Sequence, residues 1–357
     1  MTIREGDGRP VRDGGGPSRV AIACQGGGSH TAFTAGVLDT LLAGMPADVE
    51  VVALSGTSGG AICAALAWDG LVRGDPGRAR RNLGAFWSAM AASEPLDGLA
   101  NQALQGLVML RDWMVLPEVS PYTFPPWAQG RLRELLEPLL DCEALRAMAM
   151  APGAPALHIG AVEVLTGHFD VFLGEELCLE CLLASAAIPD LFPAVEVPGR
   201  GVYWDGLFSQ NPPIHDLTDH DINELWVVQI NPSTCARLPT ATHEILDRRN
   251  ELAGNISLEQ ELRQIAMVNR LIARGAITDP KYHPIHVDRI ALGRDLDYGS
   301  KLDRSPAFLA ELREHGRAQA RWFLKERAAN RFTLEALGVL TPAAGGAARS
   351  ARAVRSR

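Results

Sequence analysis

The residues best placed to do chemistry are Gly56-Thr57-Ser58-Gly59-Gly60, a G-x-S-x-G pentapeptide. A serine on a sharp strand-to-helix turn presents its hydroxyl as a nucleophile, and flanking glycines let the backbone bend that far. The helix that follows aims its N–H groups and positive dipole end at the same point, where an oxyanion would form during acyl transfer. The pentapeptide is short and common, so its weight comes from its setting between two apolar runs. A hydroxyl also needs a base to take its proton. Nine histidines stand at 30, 158, 168, 215, 220, 243, 283, 286 and 315. None has an obvious triad context, although His283 and His286 follow in the chain order Ser…Asp…His. Asp205, in GVYWDGLFSQNPP, is the stronger candidate: an aspartate at the end of an apolar strand, followed by a glycine that leaves room for another backbone. An ordinary Asp-Gly turn is the alternative.

Gly26-Gly27-Gly28, followed by Ser29 and His30, offers a run of backbone N–H groups at a helix start. A dinucleotide fingerprint fails because Thr31 takes the third glycine position, and no Gly-Lys-[Ser/Thr] follows to make a phosphate loop. An oxyanion hole facing Ser58 and a plain tight turn both remain. Among the six cysteines, Cys178 and Cys181 form a CxxC. Their leucine-rich surroundings, with no second CxxC or paired His to complete a zinc set, read as packing. No acidic calcium loop is present. No metal and no cofactor are expected.

These groups need elements to position them. RVAIACQ, from Arg19, is a buried strand ending in the glycines, and Phe33, Val37, Leu38, Leu41 and Leu42 recur at helical spacing after it. Val49–Ser55 is a second strand, leading through GTSGG into the apolar helix AICAALAWDGLV. Two strand–glycine turn–helix units in succession predict an α/β architecture with parallel strands. Residues 78–150 read as a helical insertion. Further strands are expected in 156–165, 168–174, 195–204, 224–230 and 283–292. A long helix is expected over 242–276, broken near Gly254, and a last one over 306–331.

Taken in order, GGG (Gly26–Gly28), GTSGG around Ser58, ASAAIPDLFPAVEV (Ala184–Val197) and Asp205-Gly206 with Asn211 and Pro213 resemble the patatin-like phospholipase family. The resemblance implies a three-layer α/β/α fold with a mostly parallel central sheet, and lipid acyl-ester hydrolysis through an acyl-enzyme. It implies Ser58 as nucleophile, Asp205 as general base, and an oxyanion hole from Gly26, Gly27 and Gly28. Gly56, Gly59, Gly60, Gly206 and Asn211 would support them. Three residues depart from the family pattern: His30 for Arg or Lys, Thr31 for Gly, and Leu207 where Gly or Ala is usual after Asp-Gly. They motivate a rival reading, a catalytically weak lipid-binding or regulatory protein on the same fold; a third reading, a Ser–His–Asp esterase, rests on the chain order of His283 and His286.

The composition agrees with a folded catalytic chain. Of 357 residues 47% are hydrophobic and 21% charged, and 34 basic against 42 acidic residues leave a net charge of −8. That balance argues against a nucleic-acid partner. Residues 1–18 and 336–357 read as disordered ends, the second basic through Arg349, Arg352, Arg355 and Arg357. Residues 19–335 form the α/β domain, with its helical C-terminal part from about 241. The first 18 residues hold no apolar run of the length a secretory signal needs. A cytoplasmic location is expected, with contact to a membrane face left to the basic tail or to Leu96–Trp127. That apolar segment reads equally as a lid or as a helix layer over the sheet.

Overall fold

A computed structural model describes residues 16–110, 120–123, 127–189, 191–235, 237–240, 242–294 and 296–336. The elements are β1 (Ser18–Cys24), α1 (Ala32–Ala43), β2 (Val49–Thr57), α2 (Gly59–Val72), α3 (Pro76–Met90), α4 (Pro95–Leu110), α5 (Trp127–Leu136) and α6 (Cys142–Ala149), then β3 (Ala156–Glu163), β4 (Phe169–Leu173), α7 (Leu179–Ser185), β5 (Val195–Val197), β6 (Gly201–Asp205), β7 (Glu224–Gln229), α8 (Thr242–Ala273), β8 (His286–Ala291) and α9 (Pro306–Ala336).

β1 shows why the molecule is layered. Its residues are buried on both faces, as a parallel strand covered by helices requires. Val20, Ile22 and Cys24 point into a large core with Phe33, Val37 and Leu41 of α1 and with α2 and α9. Ala21 and Ala23 point the other way, against Leu258, Leu262 and Ile265 on one stripe of α8. Helices therefore lie on both faces of one sheet, ordered β5-β6-β3-β2-β1-β7-β8, with β4 also on β3. β3, β2, β1, β7 and β8 run parallel. β4 and β6 pair antiparallel with β3, and β5 pairs antiparallel with β6. This is the three-layer, mostly parallel fold expected from the sequence.

The differences are local. β2 runs on to Thr57, and 195–204 resolves into the β5–β6 hairpin. The insertion becomes α3 to α6, with Pro76 at the first position of α3 and Asp75 accepting the Arg78 N–H at 2.9 Å as its cap. α8 is continuous through Gly254, where a break was expected. The glycine serves close approach: a Cβ there would lie 3.0 Å from both Asn231 Nδ2 and Leu207 Cδ1. Much of Leu96–Trp127 lies outside the described residues, as do both expected disordered ends apart from 16–18 and 336. Among the described residues, no helix is long and apolar enough to cross a membrane.

Candidate active site

Strand β3 brings the two candidate catalytic residues together. β2 pairs with Ala156–Gly160 and β6 with Ala161–Glu163, while β4 pairs across both stretches. β2 and β6 therefore share one edge of β3 and run toward each other. Thr57 ends opposite Gly160 and Asp205 opposite Ala161, so the two strand ends meet. The meeting is tight enough to require glycine at 206, where a Cβ would sit 2.6 Å from Gly160 O and 3.0 Å from Thr57 Cγ2. Thr57 Oγ1 donates to Gln210 O at 2.6 Å and ties the second strand's loop to the first strand's end.

Ser58 occupies the turn with φ 57 and ψ −131, a conformation that costs a residue with a side chain of order 1–3 kcal/mol. It is 6% exposed. Its N–H donates to Ser185 Oγ at 2.9 Å, and that hydroxyl donates to Gly160 O at 2.7 Å. α2 begins at the next residue and points its N-terminus at the turn. Asp205 is 1% exposed. Its N–H donates to Ala187 O at 2.9 Å, and its Oδ1 accepts the Leu207 N–H at 2.8 Å. Oδ2 is buried and has no hydrogen-bond partner among the described residues. Burial pushes the carboxyl up to about 7, against the Ser58 hydroxyl, the Leu207 N–H and the Lys301 charge, which all pull it down. The Ser58 hydroxyl is thus near enough to act on the carboxyl, although no hydrogen bond joins Oδ2 to it.

The glycine run lies beside this pair. Gly26 N–H donates to Asn211 Oδ1 at 2.6 Å, so it is already engaged. Among the described residues, none accepts from the Gly27 or Gly28 amide. Thr31 Oγ1 donates to Gly28 O at 2.6 Å, and His30 N–H donates to Gly27 O at 3.2 Å, which fixes the loop's shape. His283 bonds Asp221 at 2.8 Å and His286 bonds Asp288 at 3.3 Å; neither has Ser58 or Asp205 as a partner. Among the described residues, no group of three or more His, Cys, Asp or Glu is placed to hold a metal.

Residues 22–218 match the family model for patatin-like phospholipase. The chain belongs to the patatin-like phospholipase family. Its members are lipid acyl hydrolases. No curated protein matches the sequence. Among solved structures, the chain is similar to VipD from Legionella pneumophila at 14% identity and a TM-score of 0.39, covering 87% of this chain and 67% of that one.

The three departures from the patatin-like pattern fit together in the structure. Thr31 bonds Gly28 O while Gly59 makes room for it: a Cβ on Gly59 would lie 2.1 Å from Thr31 Oγ1. Leu207 is half-buried toward Gly254 and gives its N–H to Asp205. His30 is buried, with Nε2 2.7 Å from Ser300 Oγ. Burial, then the Lys301 charge, push it down to about 3, so it stands neutral. The cation near the loop is instead Lys301, whose Nζ donates to Asn231 Oδ1 at 2.8 Å and which burial lowers to about 8.

A hub of buried amides supports the site from beside the glycine run. Gln25 Oε1 accepts the N–H groups of Ile230 and Asn231, both at 2.8 Å. Its Nε2 donates to Asn255 Oδ1 at 2.8 Å and Gly254 O at 3.1 Å. The hub joins the ends of β1 and β7 to the middle of α8, and no local pattern distinguishes its members from surface amides. Ser185 was inside a recognised motif, but only the structure shows it holding the Ser58 backbone.

Proposed function

We propose that this patatin-like protein hydrolyses acyl esters of lipids, with Ser58 as nucleophile and Asp205 as general base. One observation carries the reading: a buried carboxylate oxygen, without a hydrogen-bond partner among the described residues, stands beside a serine on a strained strand-to-helix turn. Ser58 Oγ attacks the acyl carbonyl while Asp205 Oδ2 takes its proton. A carboxyl near 7 is a far better base at neutral pH than an exposed aspartate. The Gly27 and Gly28 amides, with the α2 N-terminus, would receive the oxyanion. Gly26 then supports the hole through Asn211 and is not itself a donor. The proton returns to the leaving alcohol, and water activated by Asp205 releases the acid.

The test is covalent labelling with a fluorophosphonate probe, together with hydrolysis of a chromogenic fatty-acyl ester. Labelling of the wild type that is abolished in Ser58→Ala, with turnover at least about 10³-fold lower in Asp205→Asn, is the expected result. Full turnover in either variant overturns the reading. Lipid binding without turnover draws on a different observation: cavities of about 630 and 720 Å³ are lined by residues other than Ser58 and Asp205. It predicts retention of lipid with no labelling.

A further inference from the structure

The CxxC sits at the head of α7. Cys178 is the residue before the helix, with extended backbone, and Cys181 lies one turn in, its N–H donating to Cys178 O at 3.2 Å. The spacing turns both side chains to the same side, and their sulfurs are 3.0 Å apart. Both thiols are free. A disulfide needs about 2.05 Å between sulfurs, so closure asks the two sulfurs to approach by about 1 Å. The two thiols are not equivalent. Cys178 is half-buried and within reach of solvent, while Cys181 is 1% exposed.

We propose that Cys178 and Cys181 are a reversible dithiol–disulfide pair, oxidised by low-molecular-weight disulfides such as glutathione disulfide. Cys178 is the entering thiol. The hydrogen bond from Cys181 holds it below the ordinary thiol value despite its burial, whereas donating that bond, and burial, push Cys181 up. The Cys178 thiolate attacks one sulfur of the small disulfide, forms a mixed disulfide and expels one thiolate. Cys181 loses its proton to solvent and attacks the Cys178 sulfur, and the second thiolate leaves. The protein loses two electrons and two protons, and one small disulfide becomes two thiols.

The position gives the pair something to act on. α7 is seven residues, about 10 Å, and its far end holds both candidate catalytic residues by their backbones. Ser185 Oγ accepts the Ser58 N–H, and Ala187 O accepts the Asp205 N–H. A covalent bond at the head of this helix is therefore one short element away from both. The leucine-rich sequence around the motif pointed to packing, and Cys181 does pack in the large core. Burial of one sulfur against an accessible partner is also what an intramolecular resolving thiol needs.

The experiment equilibrates the full chain, as Cys235→Ser because that exposed thiol would take up glutathione itself, in buffers of varied reduced-to-oxidised glutathione ratio. After acid quench and alkylation, peptides are mapped by mass. Cys178 and Cys181 should leave the alkylated pool together, in one two-electron transition, with a mass loss of two hydrogens on their shared peptide. In a Cys181→Ala variant, glutathione should remain trapped on Cys178. Full alkylation of both in glutathione disulfide alone, stable glutathione on Cys178 of the parent chain, or a bond to Cys142 would each overturn the proposal. The readout does not use hydrolysis, so it stands or fails independently of the role given to Ser58.

Discussion

A carboxyl lifted to about 7 by burial gives Asp205 two measurable signatures. As a base it works only when ionised, so the fluorophosphonate labelling rate should rise with pH and level off above a midpoint near 7. Lys301 is one of the groups pulling the carboxyl down, and Lys301→Met should move that midpoint to higher pH. A midpoint that stays put argues against electrostatic contact between them. The second signature is in stability. An aspartate whose folded value lies above its unfolded value of about 3.9 binds more protons folded than unfolded across that window. Stability therefore falls as pH rises from about 4 through 7, and Asp205→Asn should be more stable than wild type at pH 8, on the order of 1–4 kcal/mol by urea unfolding. Equal stability at pH 8 would mean that the carboxyl is not desolvated. Ser58 and Asp205 were legible in sequence because each stands in a glycine-marked strand end. Gln25, Ser185 and Lys301 were not, since what defines them is the partner reached across the sheet.

Among elements, α9 is fastened to the sheet through buried Arg327, which pairs with Glu224 and, through Nη1 at 3.1 Å, with Asp48 just before β2. Arg327 Nη2 donates to Glu224 Oε1 at 2.7 Å and Nε to Oε2 at 3.1 Å, with side chains 3% and 7% exposed. Burial alone would push Glu224 up; the Arg327 hydrogen bonds and charge overcome it and hold the carboxyl at about 2. A folded value below the unfolded one of about 4.3 means that this contribution is complete above about 4.3 and disappears as pH falls toward 2. Arg327→Met leaves the buried carboxylate without its cation, with the Ser18 hydroxyl and the Trp226 N–H still donating to it. The substitution should cost about 3–5 kcal/mol in urea unfolding near neutral pH. Adding Glu224→Gln should recover part of the loss. A loss under about 1 kcal/mol would show that water reaches the carboxylate. Strand and helix periodicity revealed α9 and β7 as separate elements but not this link, because a glutamate at the start of ELWVVQI looks like any polar strand end. Gly254 carries the same lesson: sequence registers the weak helix former, and only packing shows what approaches it.

At the scale of the whole molecule, the family's motifs end before the fold does. The patatin-like match covers 22–218, yet β7 pairs with β1 in the middle of the sheet, Val20–Cys24 against Glu224–Val228. Motif order along the chain announced the α/β class, but it carried no signal that β7 and β8, two of the sheet's eight strands, continue it past β1 from beyond residue 218. Removing everything after residue 218 would expose one long edge of β1, a template for aggregation. It would also uncover Ala21, Ala23 and Ala53, now beneath Leu258, Leu262 and Ile265 of α8, and strip Trp226 and Val228 from the large core. At the site itself, Gln25 would lose the Ile230, Asn231 and Asn255 groups that engage it, and Ser300 would no longer meet His30. A fragment of residues 16–218 should therefore lack a cooperative thermal transition by circular dichroism and associate on concentration, whereas 16–336 should melt in a single step. A sharp melt of the shorter fragment would mean that the family core is self-sufficient and that β7, α8, β8 and α9 only decorate it.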